Sequence, residues 1–172
     1  MGQPAPDVAL YEKLMMVFPG YRGYKERELI RETDRVVRDS VYRRLKAVSE
    51  ELKSVYRVLV SVAGAAGVDV VERFLYSLDS LAERVRHAPY GYRPLFHVVK
   101  IGESRLREML EVDLALGAVV EELERAVREL REKVEERSDT SAELRSVERA
   151  LKNLESKLAE REEKLLGLGV SK

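Results

Sequence analysis

An all-α fold, an elongated helical bundle of long helices ending in an antiparallel coiled-coil hairpin, follows from three observations. Apolar residues recur at steps of three and four along most of the 172-residue chain, the spacing that places them on one side of a helix. No Gly or Pro lies between Gly117 and Gly167, so nothing breaks a helix there. Within that stretch leucines keep a seven-residue register, the pattern of a helical seam.

Residues 1-117 are expected to form a helical bundle interrupted by two Gly-Tyr turns, and residues 118-172 coiled-coil helices continuous with it. After a Gly/Pro-rich tail, Asp7 can cap a short helix with Val8, Tyr11, Leu14, Met15 and Phe18 on one side, ended by Pro19 and Gly20. From about Tyr24, Ile30, Val37, Val41, Leu45, Val48, Leu52, Val55, Leu59 and Val62 form one stripe with Asp34 in a slot of it. That predicts a helix of about forty residues, roughly 60 Å long. Gly64-Ala65-Ala66-Gly67 stops it, and Asp69 caps a third helix facing inward through Val71, Phe74, Leu75, Leu78, Leu81 and Val85.

Leu95 to Ile101 reads as irregular. Ser104 then caps a helix carrying Leu106, Leu110, Asp113, Leu116, Val120, Leu123, Val127, Leu130 and Val134 inward. Leu116, Leu123, Leu130, Leu144, Leu151, Leu158 and Leu165 share one register, with Arg137 in the missing place. The second seam position changes phase, from Val120, Val127 and Val134 to Val147 and Leu154, across the polar Arg137-Ser138-Asp139-Thr140-Ser141. Thr140 and Glu143 have capping-box spacing. Two helices folded back on each other as an antiparallel hairpin fit this pattern better than the competing reading, one continuous rod with a stutter.

The 31 basic and 31 acidic side chains cancel, which removes any bulk attraction to nucleic acid or anionic membrane. With no cysteine, disulfides, thiolate metal sites and thiol catalysis are excluded. Charged residues make up 36% of the chain and Gln3 and Asn153 are its only side-chain amides, a composition expected of a thermophile. No signal peptide or membrane-spanning run is evident, and the expected location is cytoplasmic.

The string Phe18-Pro19-Gly20-Tyr21-Arg22-Gly23-Tyr24-Lys25-Glu26-Arg27-Glu28, with Tyr90-Gly91-Tyr92 and Asp113-Leu114-Ala115-Leu116, resembles an uncharacterised family of small helical prokaryotic proteins. The resemblance covers roughly Tyr21 to Leu123. It implies a helical fold and no established activity, so no catalytic residue carries over from it.

The candidate partner-binding residues are Tyr21, Arg22, Tyr24, Tyr90, Tyr92 and Arg93, in the two Gly-Tyr segments; the alternative is that these are corners whose Tyr and Arg groups satisfy helix ends. Asp34 and Asp113 occupy core-facing slots and require partners, either each other around a metal or Arg31, Arg38, Arg93 or a Tyr hydroxyl. The structural pairing fits better, since no Glu-x-x-His repeat accompanies them. His87 and His97 lack metal-ligand spacing, and no nucleotide-binding, hydrolase or zinc-protease motif occurs. The sequence therefore points to a non-enzymatic scaffold or interaction module without metal or cofactor, a homo-oligomer or the binder of a helical protein through the seam Leu123, Leu130, Leu144, Leu151, Leu158 and Leu165. The alternative is nucleic-acid binding through Arg27, Arg31, Arg35 and Arg38, although interleaved Glu and Asp favour a salt-bridged solvent face there.

Overall fold

In a computed structural model, which describes residues 6–23, 27–62, 67–87 and 103–168, the chain forms five helices and, among the described residues, no strand. They are α1 (Pro6–Val17), α2 (Arg27–Ser61), α3 (Val68–His87), α4 (Glu103–Glu135) and α5 (Ser141–Leu168). Tyr24, Tyr90, Tyr92, Arg93, His97, Gly64 to Ala66 and the segment 95–101 lie outside the described residues.

Side chains fix how the helices run. Arg38 and Lys46 of α2 meet the Arg86 carbonyl and Asp79 of α3, an antiparallel order, whereas Arg44 and Glu51 of α2 meet Glu124 and Arg131 of α4 in parallel. Leu144 of α5 packs at Gly67 and Glu162 pairs with Arg84, so α3 and α5 are parallel. Two helical hairpins, α2/α3 and α4/α5, thus lie side by side, with α1 packed on α4. The core is built from the stripes expected, including Val37, Leu45, Leu52, Phe74, Leu78, Leu116, Leu123, Leu130 and Leu154.

The phase change in the leucine register now has a cause. Arg161 of α5 bonds Asp113 of α4, and the two lie equally far from Arg137. The same holds for Leu130 and Leu144, Val127 and Val147, Leu123 and Leu151, Val120 and Leu154, Leu116 and Leu158, and Met109 and Leu165. A seam that alternates steps of four and three on the way in must alternate three and four on the way out when a chain folds back. The reversal is therefore a reflection about Arg137, and the continuous rod is replaced by a hairpin.

Arg137 is the turn itself. Its φ is 55°, and the Arg137 and Ser138 amides donate to the Val134 and Lys133 carbonyls at 3.1 and 3.0 Å, the bond pattern of a Schellman C-cap. Glycine normally holds that left-handed place. Arg137→Gly is expected to stabilise the protein by about 0.5–1 kcal/mol, read from urea unfolding. The α5 start differs from the expected capping box: Asp139 accepts from the Ser141 amide and hydroxyl at 3.1 and 2.6 Å, and Glu143 Oε2 is buried without a bond.

Other corrections concern edges of stripes. Leu14 and Phe18 are fully buried, while Val8 and Met15, expected on the same side, are exposed. Val62 lies beyond the end of α2 and is exposed too. In α4 Leu106 and Leu110 are half-buried, and Met109, the mirror image of Leu165, and Val112 are buried instead. Gly117 lies within α4 where α1 crosses: a Cβ there would stand 2.5 Å from Val17 Cγ1 and 3.4 Å from the Phe18 ring. Gly117→Ala is expected to cost about 1–3 kcal/mol on thermal unfolding, the overpacking outweighing a helix-propensity gain of about 1 kcal/mol.

A buried charge network as the candidate site

Around Arg161, four elements meet through charged and phenolic groups. Phe18-Pro19-Gly20-Tyr21 is a tight turn in which the Tyr21 amide donates to the Phe18 carbonyl at 3.0 Å and Gly20 takes φ 91°, with Pro and Gly where a type II turn requires them. The turn directs Tyr21 inward, where it is 1% exposed. Its ring stacks on Phe18 and meets Tyr11 edge-on. Tyr11 donates its hydroxyl to the Tyr21 carbonyl at 3.1 Å, and Thr33 Oγ1 donates to the Gly23 carbonyl at 2.7 Å, which binds the turn to α1 and α2.

The Tyr21 hydroxyl donates to Asp113 Oδ2 at 2.9 Å. Asp113 Oδ1 accepts from Arg161 Nε at 2.7 Å, and Arg161 Nη1 reaches across the bundle to Asp34 Oδ1 at 2.8 Å. Asp34 Oδ2 in turn accepts from Arg38 Nε at 2.8 Å. Asp113 is 0% and Arg161 4% exposed. Two carboxylates and two guanidiniums cancel in charge, and the short charge-assisted bonds offset the desolvation that burial imposes. Tyr21→Phe, which strips one donor from a buried carboxylate, is expected to cost about 1.5–3 kcal/mol in chemical denaturation.

Asp34 and Asp113 are thus core-facing, as expected, and paired with Arg38 and a Tyr hydroxyl from the expected set. They are joined to each other through Arg161, which sequence reasoning did not single out. A signal for it existed: Val147 and Leu154 step by seven to Arg161, so an arginine occupies a seam position, at the mirror image of Asp113.

Tyr21 as a partner-binding residue is corrected, because its ring and hydroxyl are consumed inside the bundle. Arg22 is exposed and pairs with Glu32 at 3.4 Å. Of the arginine stripe, Arg38 is turned inward, Arg35 pairs with Asp39 at 3.6 Å and Arg31 is exposed; the Arg27 side chain lies outside the described residues. Of the seam, Leu123, Leu130, Leu151 and Leu158 are buried, and Leu144 and Leu165 pack half-buried on the core.

Weaker features surround this centre. His87 pairs with Glu83 at 3.1 Å, and among the described residues no cluster of His, Asp and Glu has metal-binding geometry. Lys164 on α5 donates to Glu108 on α4 at 2.7 Å and holds that carboxyl below the usual carboxylate range. Arg44 and Arg84 are pushed up by bidentate bonds to Glu124 and Glu162. An open cleft of about 500 Å³ lies between the ends of α2 and α4, lined by Val58, Val62, Val134, Arg137 and Asp139 among others. No described helix is long and apolar enough to cross a membrane. In comparisons with known proteins, no family model, curated protein or solved structure matches this chain.

Proposed function

We propose that this chain is a non-enzymatic helical scaffold or protein–protein interaction module that associates with itself or with a second protein, working without metal or cofactor in the cytoplasm of a thermophile. The observation that carries the reading is the use made of its interior charges: Asp34, Arg38, Asp113 and Arg161, with the Tyr21 hydroxyl, bind one another and tie three long helices and the first turn into one unit. A buried polar network whose members satisfy one another rigidifies the interior and fixes how the helices align, which is the property a scaffold needs.

The leucine seam supports self-association in a changed form. Because the chain fills its own seam, a partner meets the outer faces, where Met16, Val60 and Tyr76 are exposed, or else enters by exchanging a helix. Nucleic acid receives less support, since Arg38 is engaged inside and Arg35 is engaged with Asp39.

Multi-angle light scattering from micromolar to near-millimolar concentration tests the self-association. A mass rising above the 19.7 kDa of one chain is the expected result. A constant mass overturns it, and salt-sensitive binding of a DNA duplex would replace the reading with the nucleic-acid alternative.

A further inference from the structure

The geometry points to the α4–α5 turn as a domain-swapping hinge, through which two copies of this chain exchange α5. The inference deepens the self-association proposed above and rests on it. The first support is the reflection of the seam about Arg137. A sequence whose two arms mirror each other about one residue pairs equally well within a chain or, about a two-fold axis through that residue, between two chains. Every layer is retained in the exchange: Leu123 meets Leu151, Val120 meets Leu154, and Arg161 meets Asp113 and Asp34, now of the other copy.

The second support is the hinge itself. Only 136–140 separate the helices, and no Gly or Pro interrupts them. Arg137 carries the left-handed φ of 55°, a conformation that disfavours a side-chain-bearing residue. Opening α4 and α5 into one rod returns Arg137 to helical backbone, and a short strained connection invites exchange. The cap made by Asp139 to Ser141 opposes it, because that cap exists only while the turn is closed.

The absence of cysteine makes the exchange measurable. One copy carries Glu108→Cys and another Lys164→Cys, positions whose side chains bond across α4 and α5. The two are refolded together from urea at high concentration and treated with a short bis-maleimide. A covalent dimer is expected, above the background given by Glu108→Cys with Ser141→Cys, which lie at opposite ends of the hairpin. Both cysteines in one chain give the closed-form control.

Arg137→Gly should lower the dimer yield about tenfold per hinge, since glycine fits the closed turn and disfavours the rod. Asp139→Ala should raise it about fivefold per hinge by deleting the cap. If no covalent dimer forms in the unaltered hinge or in Asp139→Ala while the control crosslinks, the hinge is overturned. If light scattering then still shows a rising mass, association is through outer faces, and the proposed function stands without the exchange. A yield indifferent to both hinge substitutions also overturns it.

Discussion

Arg161→Ala is expected to destabilise the protein by about 3–5 kcal/mol, measured by urea or guanidinium unfolding followed by circular dichroism. The cost lies in what is left behind. Asp113, 0% exposed, would lose the guanidinium held 2.7 Å from its Oδ1, and Asp34 would lose its link across the bundle. An uncompensated buried charge is far more costly than the net worth of an intact pair. Arg161→Met combined with Asp113→Asn should therefore recover most of the loss, because the amide still accepts from Tyr21 and the remaining carboxylate, Asp34, keeps its charge matched by Arg38. Recovery would place the role of the network in specifying alignment more than in adding stability.

The second large effect concerns the mirrored seam. Leu123→Ala and Leu151→Ala are each expected to cost about 2–5 kcal/mol, as truncations of buried leucines. They occupy one layer, so the double variant should depart from additivity by about 0.5–3 kcal/mol. Leu123→Ala with Leu158→Ala, in different layers, should add to within about 0.5 kcal/mol. A coupling found in the second cycle and missing from the first would mean that the two helices pair in another register.

Much of this fold can be read from the chain because the periodicity is strong where the helices are long. The stripe from Val37 to Leu59 and the inner face of α3 lie in the core as the spacing implies, and the polar run from Arg137 to Ser141 marks the turn. The edges are harder. Val8, Met15 and Val62 have the right spacing but are exposed where no described helix covers them, a fact of tertiary arrangement that one helix cannot encode.

The candidate site was half legible. Charged residues in apolar slots identify Asp34 and Asp113 directly, and a need for partners follows from desolvation. Arg161 lies outside the register of the leucines and far along the chain, so its meeting with Asp34 depends on how the two hairpins align. Tyr21 illustrates the opposite difficulty. Gly and Pro around it signal a turn, and turns are commonly exposed, but here the turn folds under α1 and aims the ring at the core.

The pairing of α4 with α5 about Arg137 is tested most directly by pulsed electron-spin resonance between nitroxides at Glu108→Cys and Lys164→Cys in monomeric protein diluted with unlabelled chain. The expected result is one narrow distance set by neighbouring helices, whose axes pack about 8–10 Å apart, plus the label arms. A separation near the roughly 84 Å that a continuous helix would impose between the two positions would contradict it.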